Sequence, residues 1–402
     1  MHKLTLQTVD VAGKTVLVRV DYNVPLAADG SVRDDTRIRA TLPTLHYLIE
    51  QGARVVLMSH LGRPNGQRVA AMSLAPVASR LAEVLGAPVA FVSDCVGDTA
   101  EVAVRALAPG GVLLLENLRF HPEEELNDPI FAAALARLGQ VFVNDAFGTA
   151  HRAHASTVGV AMLLPQAAAG CLMERELDFL GRLLVAPKKP FVAIIGGAKI
   201  SGKIEVLQSL LARVDVLVVG GAMMFTLLRA QGIATGKSLV EPDHIDTARS
   251  LLAAAQARGV SVLLPTDTVV SDTVDGKMPS HVVEVTAIAP ADIGVDIGPA
   301  SVAAIAATLA TARTVFWNGP MGIFEVETFA RGTVAVAEQL ADATARGAIT
   351  VVGGGDSVAA LVKSGLRDKV SHVSTGGGAS LEFLEGRLLP GVVALSDAPA
   401  AV

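Results

Sequence analysis

Short apolar runs of strand length alternate along the chain with stretches that carry apolar residues at helical spacing. The runs fall at 15–20, 54–59, 88–92, 111–115, 140–144, 191–195, 214–219, 260–264, 314–317, 349–352 and 372–374, with helical patterns such as 38–51, 74–85, 201–213, 243–258 and 326–345 between them. A strand that is apolar at every residue, not at alternate ones, is buried on both faces, as in parallel sheets covered by helices. Eleven such strands are more than one open sheet ordinarily holds. The expected fold is therefore α/β: two doubly wound, Rossmann-like parallel-sheet domains of five or six strands each. A helix over 170–184 followed by VAPKKP at 185–190 predicts a hinge helix and linker, dividing the chain into 1–185 and 186–389.

A chain of 402 residues carries a sizeable core, and with 51 % apolar but only 4 % aromatic residues the core is aliphatic. The net charge of −6 argues against a nucleic acid or an anionic membrane as partner. Cys95 and Cys171 are the only cysteines, which excludes a disulfide framework and suits a reducing compartment. Mean hydropathy is high at +0.49. The longest apolar stretch, 157–173, is nevertheless broken by Gly159, Pro165, Gln166 and Gly170 and reads as buried protein. The first residues mix charge with apolar side chains and contain no signal-peptide core. A cytoplasmic protein is expected, and, since nothing reads as a subunit interface, a monomer.

In open parallel sheets ligands bind beyond the carboxyl ends of the strands. In the first half those ends carry RVDYNVP (19–25), SHLGRP (59–64), ENLRFH (116–121) and NDAFGTAHRAH (144–154), and Arg37 opens the first helix. Convergence of these loops makes a pocket for a small polyanion, since guanidinium forks match phosphate and carboxylate oxygens. Taken singly, each arginine also reads as a surface ion pair, His60, His151 and His154 as structural histidines, and Asp21 as a turn residue. A three-histidine metal site is disfavoured by Arg63 and Arg152 beside it.

In the second half, FVAIIGGAKISGKI (191–204) is strand, glycine turn and helix start, a ready anion site with Lys199 and Lys203 beside it. It also reads as an ordinary strand-to-helix connection. Gly197 to Lys203 spells the front of a P-loop, but Ile204 stands where a Ser or Thr hydroxyl must reach Mg²⁺. A carboxylate from elsewhere must then serve a metal–nucleotide complex. Further glycine-rich strand ends are GGAMMF (220–225), WNGPMG (317–322) with Glu325 behind it, GGGDS (353–357) and STGGGAS (374–380). Asp356 is the candidate metal ligand or, equally, a helix N-cap. Glu325 either accepts from ribose hydroxyls or is simply solvated.

In this order, spanning essentially the whole chain, these motifs resemble those of the phosphoglycerate kinase family. The resemblance implies reversible phosphoryl transfer between ATP and the carboxylate of 3-phosphoglycerate, giving ADP and 1,3-bisphosphoglycerate. It implies phosphoglycerate bound on the first domain by Asp21, Asn23, Arg37, His60, Leu61, Gly62, Arg63, Arg119, His151 and Arg152. It implies Mg-nucleotide bound on the second by Gly197, Lys199, Lys203, Gly220, Asn318, Pro320, Glu325, Gly354, Gly355, Asp356 and Ser357, with Asp356 on Mg²⁺. It also implies that residues 390–402 cross back onto the first domain. Gly202 departs from the polar or acidic residue common in the family, and Ser357 replaces the commoner Thr but keeps the hydroxyl.

A carboxylate acceptor with pKa ~4 is already ionised at neutral pH, so no histidine is needed as a base. The chemistry needs charge neutralisation and in-line positioning. Arg37 and Lys199 are expected on the transferring group, Lys203 on the triphosphate, and the helix start at Gly377 and Gly378 on the developing charge. Domain closure is expected to bring the two substrates together. Two other classes fit the sequence less well. A dinucleotide dehydrogenase lacks its G-x-G-x-x-G with a following acidic residue. A binding protein for a phosphorylated sugar leaves the second phosphate site without a purpose.

Overall fold

The computed structural model describes residues 3–398. The chain divides into two compact units, one comprising residues up to Asp178 together with those from Leu388 onward, the other Phe179–Arg387. The first unit holds strands β1 (Thr15–Val20), β2 (Arg54–Met58), β3 (Val89–Val92), β4 (Val112–Leu115), β5 (Val141–Asp145) and β6 (Ala167–Ala169). All pair in parallel in the order β3-β4-β2-β1-β5-β6. The uninterrupted apolar runs are the reason. Val16, Val18 and Val20 of β1 and Val55 and Leu57 of β2 pack in one cluster with Leu45 and Leu48 of the helix Leu42–Glu50. Each fully buried Val or Leu contributes roughly 1.5–3 kcal/mol.

The second unit holds β7 (Phe191–Ile195), β8 (Val216–Val219), β9 (Ser261–Leu263), β10 (Asp267–Ser271), β11 (Ser280–Glu284), β12 (Ile293–Ile297), β13 (Thr314–Asn318), β14 (Ile349–Gly353) and β15 (His372–Val373). Six of these form a parallel sheet ordered β15-β14-β13-β7-β8-β9, and β11-β10-β12 form a separate antiparallel sheet. Both parallel sheets reverse their direction of growth beside the first strand, between β1 and β5 and between β7 and β13. Doubly wound sheets open a crevice at that point. The register sharpens it in the second unit, where Asn318 pairs with Ile195 on one side and Gly353 on the other, so three glycine-rich turns leave the sheet at one level.

Two parallel sheets of six strands agree with the expected architecture; the small antiparallel sheet and β6 are additions. The expected helix 38–51 is two helices, Thr36–Ala40 and Leu42–Glu50. Pro43 has no N–H to continue the first helix, and the Thr41 hydroxyl turns back to Ile38 O at 2.9 Å. The unit boundary falls inside the helix Cys171–Val185, not at its end. Its first turn is tied to the first unit, with Leu172 N donating to Asp145 Oδ1 at 2.9 Å, and its last to the second, with Arg213 Nε donating to Leu184 O at 3.1 Å. Residues from Leu388 return to the first unit, where Leu4 N donates to Ser396 O at 2.8 Å and Gly391 N to Ala150 O at 2.8 Å. Residues 399–402 of the expected C-terminal segment lie outside the described residues.

Candidate active site

The carboxyl ends of β1, β2, β4 and β5 build the first cluster. Arg37 donates to Asp21 Oδ2 at 2.6 Å. Asn23 Oδ1 accepts from Gly62 N at 2.9 Å, and Arg119 donates to Gly62 O at 2.9 Å. Asn117 clips the β2 and β4 loops together, its side chain bonding to both N and O of Leu61 at 3.2 and 2.7 Å. Arg19, fully buried, places Nη2 3.2 Å from His60 Nδ1. Arg63 and Arg152 are exposed, and both lie close enough to Arg119 to oppose its charge. Arg152 Nε donates to His151 Nε2 at 3.3 Å.

So many cations at one sheet edge determine the protonation of the histidines. Burial, and then Arg19 and Arg119, hold the His60 imidazole well below the usual histidine range. His154 is pushed down to about 4 by burial, again with Arg19 and Arg119. Both rings are neutral at physiological pH and add no charge; His60 Nδ1 is within hydrogen-bond distance of Arg19 Nη2. Every expected first-half residue thus lies in or beside this cluster. Arg19, Asn117, Glu124 and His154 belong to it as well; Arg19 and His154 stand inside the motifs, whereas nothing in the local sequence marks Glu124.

A second cluster lies at the β7–β13 crevice. Gly319 packs so closely that a Cβ there would sit 2.2 Å from Gly196 O. The Lys203 ammonium donates to Gly196 O at 2.7 Å and Asn318 Oδ1 at 2.7 Å. Burial pushes it down to about 8, opposed by Asp356. Gly354, at φ +89°, caps the helix Gly355–Lys363, so Asp356 stands in its first turn and is not the N-cap. Ser357, fully buried, accepts from Gly319 N at 2.5 Å. Asn318 is buried, yet its Nδ2 donor has no partner among the described residues, and a Cβ on Gly354 would lie 2.8 Å from it. A buried orphan donor facing a glycine turn suits an anion.

Two cavities meet here. One, of about 260 Å³, is a cup lined by Lys203, Asn318, Gly354, Asp356, Gly377 and Gly378 among others. The other, of about 330 Å³, is an apolar slot lined by Gly197, Ala222, Phe225, Val295, Pro320, Met321 and Glu325 among others. Asp356 lines both. Lys199 is exposed and lines neither, and Gly220 stands behind the slot, where a Cβ would meet Met321 Sδ at 2.4 Å. The slot's back wall, Ile293–Asp296, comes from β12, and Asp296 there is raised to about 7 by burial.

Elsewhere, Asp94, Cys95 and His121 bring three metal-ligating groups together. The Arg68 guanidinium sits on Asp94 at 2.6 Å, His121 Nε2 lies 2.8 Å from the same carboxylate, and burial raises the Cys95 thiol. The trio is an ion-paired brace.

The family model described as phosphoglycerate kinase matches residues 6–387. The chain belongs to the phosphoglycerate kinase family. It is 56 % identical over 397 residues to the phosphoglycerate kinase of Chlorobaculum tepidum, covering 99 % of this chain and all of the relative. A wheat (Triticum aestivum) relative named "Phosphoglycerate kinase, cytosolic" is 55 % identical, with 98 % of each chain covered. The solved structure of phosphoglycerate kinase from Coxiella burnetii superposes with a TM-score of 0.89 at 42 % identity, covering 98 % of each chain. Membership of this family makes the chain a kinase, and among the described residues no helix is long and apolar enough to cross a membrane.

Proposed function

We propose that the chain transfers a phosphoryl group reversibly between ATP and the carboxylate of 3-phosphoglycerate, giving ADP and 1,3-bisphosphoglycerate. The observation that carries the reading is Asp356, which lines both an apolar slot and a glycine-walled cup. A slot for a flat base and a cup for phosphates, joined at one carboxylate, suit a nucleotide bound through a divalent cation. The nucleotide is assigned to Gly197, Lys203, Asn318, Pro320, Glu325 and the Gly354–Ser357 turn. Phosphoglycerate is assigned to the cationic cluster of the first unit, whose arginine forks match phosphate and carboxylate oxygens.

Asp356, free of any capping role, fits Mg²⁺ as a ligand and would hold it; when bound, the ion would supply positive charge to the phosphates. The protein's own part is to orient and neutralise. Arg37, held by Asp21, and Lys199 meet the transferring group, Lys203 carries a fixed positive charge into the cup, and the Asn318 amide donates to a phosphate oxygen. The backbone at Gly377 and Gly378 faces charge developing on the phosphoryl oxygens. No side chain abstracts a proton, because the acceptor carboxylate is already ionised. With the substrates assigned to separate units, transfer requires them to be brought together, and the helix Cys171–Val185 with residues 186–190 is the proposed hinge. The same reading makes the protein a cytoplasmic monomer. Thermal unfolding tests the nucleotide assignment: saturating MgADP is expected to raise Tm and NAD to leave it unchanged, whereas equal shifts would contradict the reading.

A further inference from the structure

Glu124 is fully buried and has no part in the mechanism above. It accepts from Ser156 twice, from the amide at 3.0 Å on Oε2 and from the hydroxyl at 2.6 Å on Oε1. The Ser156 hydroxyl, its proton given to Glu124, accepts from Arg19 Nε at 2.8 Å. Arg19 in turn places Nη2 3.2 Å from His60 Nδ1. A guanidinium has only donors, so Nδ1 is the acceptor and the neutral imidazole carries its proton on Nε2. The direction of every bond in this relay is set from the carboxylate outward.

Electrostatics give the relay its purpose. Arg19 is buried and makes no direct ion pair among the described residues; Glu124 and Asp21 are the negative charges that favour its charged form, and Arg119 opposes it. His154 Nδ1 lies a further 3.9 Å from Glu124 Oε1. Before an anionic substrate arrives, Arg19 and Arg119 repel one another; Glu125 lies 3.3 Å from Arg119 Nε, and the buried carboxylate acting on Arg19 is Glu124. An array ordered in advance binds more tightly than one ordered by its ligand.

We propose that Glu124 is a positioning residue for phosphoglycerate: through Ser156 it holds Arg19, and through Arg19 it fixes the Nε2–H tautomer of His60. The proposal rests on assigning phosphoglycerate to the first unit. Its test is steady-state kinetics of the full chain and of Glu124→Gln, Ser156→Ala and the double variant. Each single variant is expected to raise KM for 3-phosphoglycerate roughly tenfold or more, with KM for MgATP and kcat within about twofold. The double variant is expected to be no worse than the worse single one, because both break the same relay. An unchanged phosphoglycerate KM, equal changes in both KM values, or multiplicative effects in the double variant would overturn it. Wild type that turns over 3-phosphoglycerate while the folded variants keep its KM sinks this proposal alone; wild type without turnover sinks the substrate assignment and the proposal with it. Should Glu124→Gln fail to fold, Ser156→Ala carries the kinetic test. In wild type itself, ¹H–¹⁵N correlation must place the His60 proton on Nε2; a proton on Nδ1 refutes the relay without any variant.

Discussion

Lys203 Nζ lies 2.7 Å from Asn318 Oδ1, so the residue closing β13 is held by a lysine at the start of the neighbouring helix. An ammonium only donates, which determines which way the amide faces: Oδ1 toward Lys203, Nδ2 toward the turn at Gly354. One contact thereby aims a fixed charge and an unpartnered donor at the same cup.

Lys203→Met is expected to lower kcat by about 10²–10³, as for the loss of one preorganised charge contact, or ~3–4 kcal/mol. Because burial depresses this ammonium to about 8, the free enzyme loses its charge as pH rises through that value. An anionic ligand favours the protonated form, so MgADP affinity in wild type is expected to fall above pH 8, and in Lys203→Met not to. Calorimetric titration between pH 7 and 9 measures both; a wild-type affinity flat across that range would count against the assignment.

Arg37→Ala removes a guanidinium held at 2.6 Å by Asp21 and 37 % exposed. Being half open to solvent, it contributes little to folding. Turnover is expected to fall by about 10²–10³ while the melting temperature barely moves. Near-wild-type kcat would remove Arg37 from the transferring group.

Asp356→Ala is expected to weaken MgADP binding at least tenfold and to affect metal-free ADP far less. Equal losses with and without Mg²⁺ would mean that the carboxylate does not meet the ion.

Much of this was legible in the sequence, and the exceptions have physical causes. Glycines at strand ends marked the phosphate cup, because closely approaching backbones need them and an ordinary sequence seldom does. The apolar slot was invisible: its back wall is β12, IGVDI, whose glycine and aspartate break the apolar run. Gly294 there looks like a strand breaker, yet it exists to admit the Phe225 ring, whose Cζ would lie 2.0 Å from a Cβ. Similarly β6 is three alanines, a poor strand signal, made a strand by its place beside β5. Glu124 was hidden because its partner Ser156 is 32 residues away and only the fold brings them together.

The buried histidines predict an acid limit. His154 titrates near 4 in the folded chain against 6.5 for the free side chain, so the unfolded state binds more protons in between. The stability this group contributes is complete above pH 6.5 and is lost as pH falls toward 4. His154→Gln is expected to flatten the fall of Tm across that window; an identical slope in the variant would assign the acid sensitivity elsewhere.

The most direct measurement is a coupled assay of purified protein with 3-phosphoglycerate and ATP, with 1,3-bisphosphoglycerate consumed by an added NADH-dependent dehydrogenase. NADH oxidation that requires 3-phosphoglycerate, ATP and Mg²⁺ together is the expected result. A folded protein that binds MgADP but oxidises no NADH in this assay would contradict the proposed reaction.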